Sequence, residues 1–222
     1  MLDIFDILGP VMVGPSSSHT AGAVRIGNMG RTLLGEEPAR ALLKLHGSFA
    51  ETGRGHGTDK ALIAGLLGMK PDNMDIPNSF AIARSQGLDF TFREVQLREA
   101  HPNTVVMELT GRTGRTLQMQ ASSTGGGRIM VDALDGIDVS FSGEYHTLVI
   151  HNRDDCVQVA DVTAELSKMK VNIANMRLCR HQRGGDAIMV IETDQQVPPV
   201  AIDLLSELPG INKITYYERE DA

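Results

Sequence analysis

The chain has 222 residues, 41% of them hydrophobic and 22% charged, which is enough for one large domain or two modest ones. Its net charge of −7 argues against a nucleic-acid-binding surface, and no run approaches the roughly 18 apolar residues of a membrane span. The first six residues include two acids and no basic residue, which argues against a secretory signal and leads us to expect a cytoplasmic protein.

Residues 1 to 143 are predicted to form an α+β domain with an antiparallel sheet. Apolar spacing predicts helices over residues 20–34, from residue 59 to residue 68, and over residues 79–86. Strands are predicted over residues 41–45, 90–97, 104–110, 115–122 and 128–134. Gly22, Gly27 and Gly30 weaken the first helix, so we expect another backbone to approach it closely. The domain boundary is predicted at residues 142–144.

Residues 146 to 219 are predicted to form a second domain with the order βαββαβ. Strands are predicted over residues 146–151, from residue 174, over residues 187–191 and over residues 211–217. Helices are predicted over residues 157–170 and after Pro198. This order is the ferredoxin-like split-βαβ plan. Alternation in the second of these strands predicts that Ala174, Met176 and Leu178 face the core.

The residues just before the first helix carry many short hydrogen-bonding side chains. They read Gly14-Pro15-Ser16-Ser17-Ser18-His19-Thr20. At a helix start such side chains cap free backbone N–H groups, and additional ones can bind a small anion. Two interpretations stay open for this motif: one N-cap among solvated neighbours, or a ligand site.

A second motif of the same character reads Gly53-Arg54-Gly55-His56-Gly57-Thr58-Asp59 and is predicted to be a loop. Glycine on both sides of His56 lets the backbone approach a ligand, and Thr58 is placed to cap the helix that Asp59 begins. Asp59 could orient an imidazole or hold a cation. The alternative is an exposed histidine in a glycine-rich loop. Together the two motifs predict one composite site for a small charged molecule.

Two further motifs lie in the predicted sheet. His101-Pro102-Asn103-Thr104 opens a strand, where residues two apart face the same side, so His101 and Asn103 are predicted to reach one ligand. A plain turn is the alternative. The run from Ser123 through Gly125 and Gly126 to Gly127 predicts a turn whose backbone N–H groups could hold a carboxylate.

The two cysteines, Cys156 and Cys179, cannot form a four-thiolate metal site or a disulfide framework. Packing alone predicts two small buried or half-buried thiols. Serine-hydrolase, P-loop, dinucleotide-binding and zinc signatures are absent from the sequence.

In this order, the four motifs resemble those of the β subunit of bacterial iron–sulfur-dependent L-serine dehydratases (L-serine ammonia-lyases). The resemblance covers nearly the whole chain, and its βαββαβ part is similar to an ACT domain. It implies conversion of L-serine to pyruvate and ammonia, in serine catabolism and gluconeogenesis, at a [4Fe–4S] cluster. Cluster ligation requires Cys thiolates, so the resemblance implies that a separate α subunit carries the cluster. It also implies a hetero-oligomer that is paired through the ACT-like unit.

The resemblance further implies which side chains act. The expected catalytic residues are His19, His56 and His101, with the base left unassigned among them. The expected substrate-binding residues are Ser16, Ser17, Ser18, Thr20, Gly57, Thr58, Asp59, Asn103, Gly125 and Gly126. The metal ligands are expected on the α subunit.

The role of the ACT-like unit and the function of the whole chain each have an alternative interpretation. The loop from Asn152 to Val157 lacks the Pro-Gly-like turn of effector-binding ACT domains, so its acids are left to hold a cation, or the unit serves subunit pairing. An alternative function is a non-catalytic serine- or anion-sensing module, because the first domain is similar to the allosteric substrate-binding domain of some D-3-phosphoglycerate dehydrogenases. A structural pairing protein would leave the loops of the first domain unexplained.

Overall fold

The structure is a computed structural model that describes residues 11–219, the side chain of Arg54 excepted. The acidic start of the chain, which argued against a secretory signal, lies outside this range. The chain divides into two compact units, Met1–Gly136 and Ile137–Ala222. This division precedes the boundary that we placed at residues 142–144.

The helices and strands of the first unit follow the predicted order, with one additional helix. The helical segments are a π-helical turn at Ser17–Ala21, α1 at Gly22–Leu34, α2 at Ser48–His56, α3 at Thr58–Leu66, a 3-10 turn at Ile76–Asn78, and α4 at Ser79–Ser85. The strands are β1 at Pro38–His46, β2 at Asp89–Val95, β3 at Thr104–Gly111, β4 at Thr116–Gly125, and β5 at Arg128–Leu134.

These strands form a sheet in the order β2-β1-β3-β4-β5. The pairs β1–β3, β3–β4 and β4–β5 are antiparallel, as predicted, but β2 is parallel to β1. Parallel pairing requires a long crossover, and helices α2 to α4 provide it between β1 and β2. The apolar side chains of Ala41, Leu43 and Leu45 in β1 are buried on one face of the sheet.

Helices α1 and α3 approach each other through glycine. A Cβ atom added at Gly65 would lie 2.1 Å from the carbonyl oxygen of Val24, and one added at Gly27 would lie 2.4 Å from that of Leu62. No side chain fits at these two positions. The close backbone approach expected from the glycines of the first helix is therefore confirmed at Gly27, where it offsets a helix penalty of up to about 1 kcal/mol. A Cβ added at Gly22 or Gly30 would first meet side chains.

The second unit confirms the predicted βαββαβ order. Its elements are β6 at Ile137–Phe141, β7 at His146–Arg153, α5 at Gln158–Lys168, β8 at Ile173–Arg180, β9 at Asp186–Thr193, α6 at Pro199–Ser206, and β10 at Ile211–Tyr217. Strands β7 to β10 form an antiparallel sheet in the order β10-β7-β9-β8. The short strand β6 is not predicted by the sequence.

Side chains of the sheet and both helices form the core of the second unit, where Leu148, Val162, Leu166 and Leu205 are fully buried. The predicted inward positions of Ala174 and Leu178 are wrong, because both residues are exposed, Leu178 to 43%, whereas Met176 packs against the core as predicted. Strand β8 lies at the edge of this sheet, next to β9.

The acidic loop after β7 is already engaged within the second unit. The Asp154 carboxylate accepts a hydrogen bond from the Gly184 N–H (2.7 Å) and pairs with the Arg180 guanidinium. These contacts pair the Asp154 carboxylate within the unit. Cys179 is half-buried, as predicted, whereas Cys156 is exposed because α5 begins only at Gln158 and leaves this thiol in the loop.

Over residues 11–219, the structure contains no helix with the length and apolar character needed to cross a membrane.

Candidate functional site

The first motif forms the entrance to α1. The Ser16 hydroxyl accepts a hydrogen bond from the His19 backbone N–H (3.3 Å), and the Ser16 carbonyl accepts one from the Thr20 N–H (2.8 Å). The N-cap prediction is therefore confirmed. The π-helical turn that follows carries His19 and Thr20 inward, leaving them 9% and 2% exposed. The interpretation that all the neighbouring side chains are solvated is wrong for these two residues.

The second motif is not a loop, which corrects the prediction. Residues Gly53 to His56 are the last turn of α2, and Gly57, at a φ of 74°, ends that helix and precedes α3. Each glycine costs a helix only about 1 kcal/mol, which packing can offset. Thr58 also does not cap α3, because Gly57 occupies the cap position and the helix has no side-chain cap there.

Helix α2 places Ser48, Thr52 and His56 at intervals of four residues, so these side chains lie along one face. Sequence reasoning missed both hydroxyl residues. Their spacing from His56 was the available signal, and it is meaningful only if this segment is known to be helical.

His19 is the centre of the site. Its Nε2 atom lies 3.1 Å from the Ser48 Oγ and 3.1 Å from the Thr52 Oγ1, and its Nδ1 lies 3.3 Å from the Ser16 Oγ. The His56 ring is nearly perpendicular to that of His19, with the ring centroids 5.0 Å apart and an interplanar angle of 87°. Two of the three predicted catalytic histidines are thus in contact.

The electrostatics of the pair distinguish its members. Burial lowers the pKa of His19 below 6.5, and the nearby charge of His56 lowers this pKa further, while a hydrogen bond to the Ser48 backbone opposes the shift. Both effects favour the neutral form of the His19 imidazole. His56, at the end of α2, is exposed.

The third motif is a turn, so the prediction that His101 and Asn103 face the same side of a strand is wrong. Strand β3 begins only at Thr104. The Asn103 N–H donates to the Nδ1 of His101 (3.1 Å), and the Thr104 hydroxyl donates to the His101 carbonyl (2.6 Å). Such local bonds favour turns over extended structure. The turn lies beside α2, since a Cβ added at Gly47 would be 2.6 Å from the Pro102 carbonyl oxygen.

Asn103 connects the third motif to the fourth. The Ser123 N–H donates to the Asn103 carbonyl (3.0 Å), and the Asn103 side-chain amide donates to the Ser123 carbonyl (3.5 Å). The Ser123 hydroxyl in turn packs against the start of α1, only 2.1 Å from where a Cβ of Gly22 would lie. The third and fourth motifs therefore meet at the helix that follows the first.

The glycine-rich turn of the fourth motif is observed, with positive φ at Gly125, Gly126 and Gly127 (99°, 61° and 77°). The Arg25 guanidinium of α1 donates to the Gly127 carbonyl (3.0 Å), which ties the turn to the helix. A Cβ at Gly125 would lie 3.9 Å from the Ser18 hydroxyl. The carboxylate cradle predicted here stays a prediction.

Asp132 is a neighbouring carboxyl that sequence reasoning missed. It is the additional residue of a β-bulge, since Ala121 pairs with Val131 and Gln120 with Ala133. Burial raises its pKa, while a hydrogen bond with Ser122 and the charge of His101 act in the opposite direction.

Four buried polar atoms in this region have no hydrogen-bond partner within the part of the chain that the structure describes. They are the Oγ1 atoms of Thr20 and Thr58, the Oγ of Ser123 and the Oδ1 of Asn103. Each unpaired buried group costs about 1–3 kcal/mol. Three hydroxyls can donate to a carboxylate, and an amide oxygen can accept from an ammonium group. Groups of these two kinds are the hydrogen-bond partners that the carboxylate and the ammonium group of an amino acid require.

The chain's own residues do not fit an iron–sulfur cluster. Within residues 11–219, no group of three or more His, Cys, Asp or Glu side chains is placed to hold a metal ion. Both cysteines also belong to the second compact unit, whereas the paired histidines belong to the first.

Comparisons with known proteins identify relatives over nearly the whole chain. A family model described as serine dehydratase beta chain matches residues 1–87. A Bacillus subtilis protein named "Probable L-serine dehydratase, beta chain" is 41% identical over 212 residues, covering 96% of each chain. The "L-serine dehydratase, beta chain" of Peptoniphilus asaccharolyticus is 34% identical over 212 residues, covering 95% of this chain and 94% of that one. The D-3-phosphoglycerate dehydrogenase of Bacillus subtilis is 25% identical over 154 residues, covering 68% of this chain and 29% of that one.

Proposed function

The chain belongs to the family of serine dehydratase beta chains, and we propose that it is the β subunit of an enzyme that deaminates L-serine to pyruvate and ammonia. Its relatedness over nearly the whole chain confirms the family that the four motifs predicted. The observation that carries the proposal is the contact between the His19 and His56 rings, 5.0 Å apart, in a region of buried hydroxyls.

The unpaired polar atoms define how the chain would hold serine. The hydroxyls of Thr20, Thr58 and Ser123 would donate to the substrate carboxylate, and the Oδ1 of Asn103 would accept from its ammonium group. Ser123 extends the predicted substrate-binding set, which is otherwise retained. It comprises Ser16, Ser17, Ser18, Thr20, Gly57, Thr58, Asp59, Asn103, Gly125 and Gly126.

Elimination from serine requires removal of the α-proton and departure of the hydroxyl group. Both ring nitrogens of His19 already face hydroxyls, whereas His56 is exposed at the end of α2. We therefore assign the proton transfer to His56 and a structural role beside it to His19. His101 uses its Nδ1 to hold the Asn103 backbone, which leaves its Nε2 for proton exchange.

The leaving hydroxyl requires an acid that this chain's residues do not supply. We propose that a separate Cys-bearing α subunit holds a [4Fe–4S] cluster, which would act as the Lewis acid when bound. The names of both full-length relatives specify a beta chain, which supports a second chain. Pairing would use the ACT-like second unit in a cytoplasmic hetero-oligomer, without nucleic acid or membrane as a partner.

The test is reconstitution with the partner chain. The chain is co-expressed with the Cys-bearing α chain, the cluster is rebuilt under anaerobic conditions, and pyruvate and ammonia are measured with L-serine and, in parallel, L-threonine. We expect pyruvate from L-serine only when both chains are present. A cluster-loaded complex that releases no pyruvate would contradict the proposal, as would a complete cluster on this chain purified alone.

The alternative function is a serine- or anion-sensing module. It is favoured by the likeness to the D-3-phosphoglycerate dehydrogenase of Bacillus subtilis over 154 residues, 68% of this chain. The pyruvate assay on the reconstituted complex distinguishes the two functions, because a sensor would bind L-serine without forming pyruvate in any complex. Isothermal titration of L-serine into the full chain measures that binding.

A further inference from the structure

The hydrogen bonds around His19 favour one position for the proton of its imidazole ring. The Thr52 hydroxyl donates its single proton to the Ser48 carbonyl (2.8 Å), in the usual threonine bond to the preceding helical turn. Its oxygen, 3.1 Å from the His19 Nε2, can therefore only accept there. An N–H on Nε2 supplies the donor at this 3.1 Å distance, which is shorter than the 3.5 Å between the Thr52 oxygen and the Ser48 hydroxyl, and the geometry therefore favours hydrogen on Nε2.

The state of Nδ1 follows from that of Nε2. A neutral imidazole with hydrogen on Nε2 has its lone pair on Nδ1, and the Ser16 hydroxyl, 3.3 Å away, can donate to it. The Ser16 oxygen meanwhile accepts from the His19 backbone N–H (3.3 Å). Ser16 thus bonds both the ring and the backbone of the same residue.

We propose that Ser48 and Thr52 are positioning residues for the dehydratase reaction, which hold His19 in the neutral Nε2–H form with its ring edge-on to His56. The inference rests on the proposed function for its catalytic meaning. It also explains why His19 itself does not remove the α-proton, because its one basic lone pair is directed to Ser16.

Helix α2 carries both the hydroxyls that orient His19 and the His56 ring that His19 contacts. Ser48, Thr52 and His56 lie on a single face of α2, so the groups that orient His19 move together with the ring that His19 contacts. Two other described side chains hydrogen-bond to or stack on the His19 ring, Ser16 and Phe49, and both are uncharged. His56 is therefore the titratable group that the His19 ring faces.

The test measures the tautomer directly in the full-length chain, with nitrogen-15 labelling of histidine and NMR across a pH series. In the wild type we expect the His19 signals of an Nε2–H ring that titrates below the ordinary histidine range. Thr52→Val should populate the Nδ1–H form, since the Ser16 oxygen can also accept, and Thr52→Ser should restore the wild-type signals. Thr163→Val is the matched control, because Thr163 makes the same helical bond to the Val159 carbonyl (2.7 Å) on α5.

The reconstituted enzyme supplies the second measurement. Thr52→Val should lower kcat about tenfold with little change in KM, the effect expected from one lost hydrogen bond, and Thr52→Ser should recover most of it. An Nδ1–H ring in the wild type, or a Thr52→Val chain with unchanged His19 signals, would overturn the inference. If the wild-type complex forms no pyruvate, the proposed function fails, and the NMR result still decides the state of His19.

Discussion

The two compact units pack their helices by different means. In the first unit, α1 and α3 meet through the backbones of Gly27 and Gly65, where a single methyl group would collide with a carbonyl oxygen. In the second unit, α5 and α6 contribute apolar side chains, among them Leu166 and Leu205, to a buried cluster. The glycine contact fixes the distance between α1 and α3. The apolar side chains between α5 and α6 can adjust their packing locally.

The helices that pack through glycine are the ones that carry the candidate functional site. The entrance of α1 carries His19 and Thr20, and α3 begins at Thr58. Because α1 and α3 touch backbone to backbone, side-chain repacking cannot change their separation. We infer that the glycine contact keeps the residues of the first two motifs in register, whereas the second unit relies on ordinary hydrophobic burial.

The largest expected effect tests whether the chemistry belongs to the first unit. His56→Ala in the reconstituted enzyme should reduce turnover by about 10²–10⁴-fold, the usual contribution of a general base, with the cluster absorbance retained. His181→Ala, at an exposed position of the second unit, is the control and should leave turnover unchanged. Equal activity of the two variants in a pyruvate assay would remove His56 from the mechanism.

An intermediate effect tests the glycine contact. Gly65→Ala should lower the free energy of unfolding by about 1–3 kcal/mol through overpacking, because the new Cβ would lie 2.1 Å from the Val24 carbonyl oxygen. Gly55→Ala is the matched change in α2, with nothing within 4 Å of the new Cβ, and should raise stability by about 0.5–1 kcal/mol. Urea unfolding of both variants provides the measurement, and an unaffected Gly65→Ala protein would contradict the close approach.

The smallest effect concerns the second unit and depends on pH. The Gly184 N–H lowers the pKa of Asp154 most, and Arg180 lowers it further. A carboxyl whose pKa is lower in the folded state stabilises the fold above its unfolded value, about 3.9. That contribution is lost as the pH falls through the folded value. Asp154→Asn should therefore be less stable than the wild type at pH 7, with the difference disappearing in acid.

The control for this change is Asp203→Asn, at an exposed position of α6. Thermal unfolding from pH 7 to pH 3 compares the two variants with the wild type. A pH-independent difference between Asp154→Asn and the wild type would show that the carboxylate acts through packing rather than through its charge.

The agreement between prediction and structure also differs between the units. In the second unit, every predicted helix and strand is present, because apolar residues recur there at the helical or strand period. In the first unit, α2 was missed, because the glycines between Gly53 and Gly57 are typical of a loop. The parallel pairing of β2 with β1 was missed as well, since it joins segments that are separated by three helices.

The candidate site was predicted only in part, because local contacts can be predicted from sequence and long-range contacts cannot. The Ser16 cap is a local contact, three residues from its partner, and local chemistry was sufficient to predict it. The contacts of His19 with Ser48 and Thr52 cross 29 and 33 residues of sequence. No periodicity or spacing in the chain indicates such a pair before α2 is recognised as a helix.

The amino-acid sequence alone determined the order of elements in the second unit, the capped entrance of α1 and the family of the chain, since each depends on neighbouring residues or on motifs that can be read in order. Only the tertiary structure decided that His19 and His56 touch, that Ser48 and Thr52 complete the site, and that His101 belongs to a turn. These outcomes depend on the distances in space between segments that are far apart in sequence. Packing across the first unit sets those distances, and the contact between Gly27 and Gly65 is part of that packing.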